Sequence, residues 1–430
     1  MQARRPAEAA DGFSDVLARA PGRPDSLLAL ALCCRDLGDA RRGVPAAEAA
    51  VRRLPRDPMA WMLLGCLHAL RGDPMAAEAA CLRAVALAPG MHEAWHHLGE
   101  ALQAQQRWRE AAEAYARALP GHRGEHFNLG LCEEMQGRLE QALTHYLEAV
   151  RALPGRADAL ARLAQIQARL CDFAGEAASC AALERVLAQP ARLAVDDQVE
   201  AFALSFLPLS ESARATALDR YARRIGARAS HRDAPGREAR PVGRVLRLGY
   251  LSPDFGDHAV GVLMRDVFAA HDRSRVQVVG FGLRRHAGPV AERIQAGFDA
   301  FHDCQGMADD ALVALIADAR LDVLIDLGGY TEGARPEVLA ARPAPRQLGY
   351  LGFIHPHAAP WLDALLMDES VLPVGQDLGE PVIRMAGCML PGSPLPPPAP
   401  ASREAFGLPA EGVLLASFNN SYKIDRALVE

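Results

Sequence analysis

His258 is the side chain in this sequence best placed to do chemistry. It stands in the stretch Val245–Gly261, VLRLGYLSPDFGDHAVG, where an apolar-alternating run gives way to a polar loop. An imidazole titrates near neutral pH and can take a proton from a hydroxyl within hydrogen-bond reach. The same ring can instead cap a following helix or satisfy its own loop, and the residues alone leave these roles open. Gly328 and Gly329 end the apolar run LDVLIDLGG (321–329), where they permit a close backbone approach or form a tight turn. Arg335 can hold a carboxylate of its own domain or face a cleft. His355 and His357 are metal-like in type but have no acidic or cysteine partner nearby, so no metal site is expected there. The nine cysteines include no Cys-x-x-Cys pair. Nearly all of them read as small buried hydrophobes in a reducing compartment, Cys66 and Cys81 among them.

The elements that position these groups follow from hydrophobic period. LRLGYLS reads as a strand, and Val260, Leu263, Met264, Val267 and Phe268 follow the spacing of an amphipathic helix. VQVVGFGL (276–283) is a second strand, and Ala308 to Ala319 a helix with Leu312, Leu315 and Ile316 on one face. The run 321–329 has the continuous apolarity of a buried parallel strand. Pro336 suits the first turn of a short helix, and strands are expected at 346–353 and 364–368. Strands alternating with helices predict a doubly wound parallel sheet, which binds ligands beyond the carboxyl ends of its strands. His258 and the loops after Leu327 and Leu351 fall at such ends. A proline-rich connector, PGSPLPPPAP (391–400), then leads to VLLASFNNSYKIDRALVE, expected as a strand, a polar loop and the start of a helix.

The first half is periodic. Trp61, Leu64, Gly65, Ala77, Cys81 and Ala84 recur 34 residues later as Trp95, Leu98, Gly99, Ala111, Tyr115 and Ala118. A third copy holds Leu129, Gly130, Ala142, Tyr146 and Ala149. Weaker ones begin near Leu27 and after Ala157, and residues 9–21 fit the second half of a unit. This pattern resembles the tetratricopeptide repeat, in which two helices pair, small residues let them approach and proline ends the second. Asp196 to Ala229 reads as continuing helix, with Val199, Phe202, Ala203 and Phe206 at helical spacing, and His231 to Gly243 as a linker. The expected domains are a repeat array (1–189), a helical connector and linker (190–243), an α/β lobe (244–400) and the start of a further lobe (401–430). The formal net charge of −6 argues against a nucleic-acid or membrane-surface binder. The opening MQARRPAEAADG shows no secretory signal, and no apolar run approaches the ~20 residues of a membrane span. A cytoplasmic location is expected.

The second half resembles the O-linked N-acetylglucosamine transferases, glycosyltransferase family 41, and their bacterial and SPINDLY-like members. The resemblance rests on LRLGYLSPDFGDHAVGVLM (246–264), DVLIDLGGYTEGARPEVLAARPAPRQLGYLGF (322–353) and ASFNNSYKI (416–424), with the repeats ahead of them. It implies an α-solenoid followed by the Rossmann-like lobe of a glycosyltransferase-B fold, whose second, nucleotide-binding lobe is expected to be mostly missing beyond Glu430. It also implies transfer of N-acetylglucosamine from UDP-N-acetylglucosamine to serine or threonine hydroxyls of protein or peptide acceptors in the repeat groove, with inversion. No metal or other cofactor is implied. His258 matches the active-site histidine, proposed in the family as a base or as a positioning group. Lys423 matches the lysine on the donor diphosphate, Asn420 stands where many members carry glutamine, and Tyr422 lies in the same motif. Gly328, Gly329, Tyr330 and Thr331 are expected to line the cleft. One departure is Phe353-Ile354-His355-Pro356-His357 where the family commonly has a Pro-Gly-Thr turn. Another nucleotide sugar such as GDP-fucose remains open as donor, as does a non-catalytic binding module with a vestigial lobe. With so little of the second lobe, the 430-residue chain alone is expected to show little or no transfer.

Overall fold

The structure, a computed structural model, describes residues 4–121, 124–189, 199–229, 244–353, 355–392 and 402–414. They fall into two compact units, one up to Val186 and the other from Leu187.

The first unit is a run of helices: α1 (Arg4–Arg19), α2 (Pro24–Leu37), α3 (Ala40–Arg53), α4 (Pro58–Leu70), α5 (Pro74–Leu87), α6 (His92–Ala104), α7 (Trp108–Ala118), α8 (Glu125–Met135), α9 (Leu139–Ala152), α10 (Ala157–Arg169) and α11 (Phe173–Leu187). Their starts are written locally. Asp39, Asp57 and Asp73 accept the backbone N–H of Arg42, Met59 and Ala76, and Pro24, Pro58 and Pro74 occupy first-turn positions where no N–H is needed. The periodic glycines act between paired helices. A Cβ on Gly99 would lie 2.6 Å from the Tyr115 ring, one on Gly130 would lie 2.7 Å from Tyr146, and one on Gly65 would run into Cys81 Sγ. The periodic tryptophans act between repeats: Trp61 Nε1 donates to Pro55 O at 3.0 Å and Trp95 Nε1 to Pro89 O at 2.8 Å. Both halves of the sequence signal, the indole and the proline, thus belong to one joint.

The second unit begins with α12 (Ala201–Leu204) and α13 (Glu211–Arg228). The single helix expected across Asp196 to Ala229 is therefore corrected to two. They are separated around Pro208, which lacks an N–H and cannot continue a helix. The sheet elements follow as β1 (Leu246–Ser252), α14 (Ala259–Met264), α15 (Val267–Ala270), β2 (Val276–Gly282), α16 (Pro289–Ala296), β3 (Ala300–Asp303), α17 (Asp309–Asp318), β4 (Val323–Asp326), α18 (Pro336–Ala340), β5 (Gln347–Tyr350), β6 (Ala364–Met367) and β7 (Val382–Arg384). The seven strands lie in the order β3-β2-β1-β4-β5-β6-β7, every pair parallel. The amphipathic helix after His258 is broken between α14 and α15, yet Val260, Met264 and Phe268 are buried as their spacing predicts. Phe268 stacks on Phe298 at 4.3 Å, and Tyr250 and Phe255 meet it edge-on under β1. Helix α13 packs on α18, and Tyr221 sets its ring edge-on to Tyr330 at 5.1 Å.

Candidate functional site

Strand β1 lies between β2 and β4, with β2 and β3 on one side of it and β4 to β7 on the other. The chain therefore leaves the sheet in opposite directions on the two sides of the β1–β4 pair. That is the topological switch point, where open parallel sheets leave a crevice beyond their carboxyl ends. The loop after β1 carries Asp254 and His258, and the loop after β4 carries Leu327 to Thr331.

His258 occupies the N-cap position of α14, and its Nδ1 accepts the Val260 N–H at 3.3 Å. The same Nδ1 lies 3.4 Å from Oδ2 of Asp254, whose side chain is 8% exposed against 50% for His258. The cap and the carboxylate compete for one nitrogen, and the ring keeps a half-exposed edge. Burial raises the Asp254 carboxyl above its ordinary value, opposed by the nearby charges of His258, Arg284 and His286. Two ties from the loop after β2 hold this group together. His286 Nε2 lies 2.7 Å from Pro253 O, and Arg284 donates to Glu332 at 2.9 Å, reaching the loop after β4. Asp254, Arg284, His286 and Glu332 are absent from the sequence-based candidates. The spacing Asp254-x-x-x-His258 is the one local signal that could have found any of them.

The loop after β4 is organised by Asp326, 3% exposed. Its Oδ1 accepts the Gly328 N–H at 3.1 Å and its Oδ2 the Gly329 N–H at 2.8 Å. Burial pushes its pKa up to about 6, and the two N–H donors oppose that rise. Gly329 has φ +58, and a Cβ there would meet Phe353, so the glycine answers both a left-handed turn and a close approach. Thr331 is half-buried, its Oγ1 donating to Gly328 O at 2.8 Å. Tyr330 departs from the expected cleft position. It is 7% exposed, its hydroxyl donates to His357 O at 2.8 Å, and its ring packs on Tyr221 and Phe353. An aromatic ring gains more from that apolar contact than from solvent.

Arg335 pairs with Asp309 on α17, Nε to Oδ1 at 2.7 Å, so the carboxylate-holding alternative is the one observed. His357 is 2% exposed, its Nδ1 has no hydrogen-bond partner, and burial lowers its pKa to about 4. Asn420, Tyr422 and Lys423 lie outside the described residues, as does most of the expected strand and loop around them. Among the described residues, the group of side chains that could hold a metal ion is in the array: His96, His97 and Glu100. No helix among the described residues is long and apolar enough to cross a membrane.

Residues 207–380 match the profile of glycosyl transferase family 41, and residues 35–92 and 96–157 that of a tetratricopeptide repeat. Over 194 residues the chain is 34% identical to a probable UDP-N-acetylglucosamine–peptide N-acetylglucosaminyltransferase, SEC, of Arabidopsis thaliana. That stretch is 43% of this chain and 20% of the plant protein. A Caenorhabditis elegans UDP-N-acetylglucosamine–peptide N-acetylglucosaminyltransferase is 36% identical over 138 residues, 31% of this chain and 12% of that one. The solved structure of a mutant Thermobaculum terrenum O-GlcNAc transferase aligns with 80% of this chain and 60% of its own, at 26% identity and a TM-score of 0.50. The matched region thus spans about a fifth of the plant relative's length.

Proposed function

We propose that the chain, whose residues 207–380 match glycosyl transferase family 41 behind tetratricopeptide repeats, is a member of that family and serves as a protein O-glycosyltransferase. The donor in this reading is UDP-N-acetylglucosamine, and the acceptors are serine or threonine hydroxyls of proteins or peptides engaged by the repeats, in the cytoplasm. The observation that carries the proposal is the pairing of half-exposed His258 with buried Asp254 at the carboxyl end of β1. Neutral histidine has one ring proton. With that proton on Nδ1 and donated to Asp254, Nε2 can accept the proton of an acceptor hydroxyl. The hydroxyl oxygen then bonds to the anomeric carbon as the bond to the departing diphosphate breaks, which inverts that carbon. With the proton on Nε2, His258 instead caps α14 through Nδ1 and cannot act as the base. Asp254 favours the first form and stabilises the imidazolium that results. In the same proposal Lys423 offsets the charge gathering on the diphosphate, and Asn420 and Tyr422 of the same motif also bind the donor. The Gly328–Gly329 turn brings backbone near the sugar.

The test uses the protein expressed from its complete reading frame, with UDP-N-acetylglucosamine labelled in the sugar and serine- or threonine-containing peptides. Transfer is expected, and His258→Ala is expected to reduce it by about 100-fold or more. Donor binding without transfer to any hydroxyl, or transfer unaffected by His258→Ala, would overturn the proposal.

A further inference from the structure

The array contains a cluster of side chains that the transferase chemistry does not use. His96 and His97 are consecutive on α6, and Glu100 lies one turn on, so that its carboxylate reaches both rings. Glu100 Oε1 is 3.3 Å from His96 Nε2, and Oε2 is 2.7 Å from His97 Nδ1. The three ligand-capable atoms lie within 4.8 Å of one another. Around a tetrahedral zinc ion with bonds near 2.0–2.1 Å, neighbouring ligand atoms sit roughly 3.3 Å apart, so small side-chain rotations bring these three into place. Two imidazoles and one glutamate are also the ligand set of open zinc sites, which leave a fourth position to water or an incoming group. All three side chains keep some exposure, 26% and 22% for the histidines and 48% for Glu100, so an ion has a path in.

A second observation comes from the next repeat. Glu125 opens α8 and is 2% exposed, an unusual place for a carboxylate. Its Oε1 lies 2.7 Å from His96 Nδ1, and its Oε2 accepts the Asn128 side-chain N–H at 3.0 Å. A buried carboxylate on the far nitrogen of a ligating histidine fixes the tautomer and turns the other nitrogen toward the metal. Here that other nitrogen, Nε2, faces Glu100. Elsewhere in the array His126 and His145 approach Nδ1 to Nδ1 at 3.1 Å, but no third ligand of this kind joins them among the described residues.

We propose that His96, His97 and Glu100 form a binding site for a divalent transition-metal cation of the zinc class, with Glu125 as its outer-shell partner. An ion on α6 held through Glu125 of α8 ties one repeat to the next. Its open position accepts water or a carboxylate, imidazole or thiolate from a bound chain.

The test takes the full chain without a polyhistidine tag, strips it with chelator and titrates it with zinc chloride by calorimetry and with cobalt chloride by visible absorption. One equivalent is expected, with the absorption bands of four-coordinate cobalt. His97→Ala and Glu100→Gln are each expected to weaken binding by about 100-fold or more, and Glu125→Gln by about 10- to 100-fold with the stoichiometry kept. His126→Ala is expected to change nothing. Both metal-ligand substitutions fall on partly exposed side chains, and circular dichroism checks that the variants stay helical. Absence of a one-equivalent site, affinity unaltered in both His97→Ala and Glu100→Gln, or loss in His126→Ala instead, overturns the proposal.

Discussion

Asp326→Asn isolates the energetics of the turn beside His258. Asp326 is 3% exposed at the end of a central strand, and burial lifts its pKa from the ordinary 3.8 to about 6. A raised carboxyl favours the protonated form in the folded state. Its contribution to stability is therefore full below about pH 4 and is lost as pH rises through about 6. A pKa moved from 3.8 to about 6 corresponds to ~3 kcal/mol in total, of which ~2 kcal/mol falls between about pH 4.5 and about pH 7.5. Asparagine has nearly the same shape and does not titrate. It can still accept one of the two glycine N–H bonds, while its own NH2 faces the other donor. Removing a buried anion and losing an acceptor act in opposite directions, so the absolute stability of the variant is a poor readout. The pH dependence is a good one, because other carboxylates contribute equally to both proteins and cancel. The assay is urea-dependent hydrogen exchange of segments covering β4 and β5, corrected for the intrinsic effect of pH on exchange. Relative to Asp326→Asn, the wild type is expected to lose ~2 kcal/mol between about pH 4.5 and about pH 7.5. A difference within about 0.5 kcal/mol would mean that the two N–H donors hold Asp326 as an anion throughout, and the reasoning fails.

Three further outcomes follow. Asp254→Asn is expected to lower kcat by about 10- to 100-fold, the worth of one charge-assisted hydrogen bond, with KM for the donor unchanged; steady-state kinetics on the complete protein checks it, and an unaltered kcat removes Asp254 from any positioning role. Gly99→Ala places a methyl against the Tyr115 ring and is expected to destabilise the array by about 1–3 kcal/mol, with the loss reduced in the Gly99→Ala/Tyr115→Ala pair relative to the sum of the single variants; additive losses in chemical denaturation would disconnect the two. Gly352→Ala drives its Cβ into the Leu327 carbonyl, backbone against backbone, and is expected to cost the sheet unit about 3 kcal/mol or more, whereas Gly392→Ala meets nothing within 4 Å. Hydrogen exchange of β4 and β5 tells them apart, and equal protection in the two variants would refute the packing argument.

The repeats and the long strands are legible in the sequence because their signals are local or periodic. Gly65, Gly99 and Gly130 recur at fixed offsets from Cys81, Tyr115 and Tyr146, and each of these pairs is a contact between paired helices. VQVVGFG announces β2 by composition alone, whereas AFHD and VIR are too short to show any alternation, so β3 and β7 emerge only through pairing with β2 and β6. Tyr330, which the family resemblance expects at the cleft, is buried by partners distant in sequence, Tyr221 and His357, that no local pattern announces. His355 and His357 are metal-like in type but have no third ligand beside them among the described residues, whereas the helical His96-His97-x-x-Glu100 pattern brings three ligand atoms together.

His258 shows most clearly what spacing can and cannot convey. Sequence alone leaves it as either a cap or a base, two readings that look exclusive. In the folded chain both are available and meet at one atom, since the Val260 N–H and the Asp254 carboxylate approach the same Nδ1 at 3.3 and 3.4 Å. In the proposed mechanism the role follows from whether the one ring proton sits on Nδ1 or on Nε2, and Asp254, beside Nδ1, favours the first. The carboxylate in turn lies near the charges of groups from another loop, Arg284 and His286 after β2, with Arg284 paired to Glu332 after β4. A substitution at Glu332 should therefore reach His258 through Arg284 and Asp254 without touching the ring. A change in the pH–rate profile of Glu332→Gln, with donor affinity retained, is the signature expected of that relay, and a profile identical to wild type would confine the control of His258 to Asp254 alone.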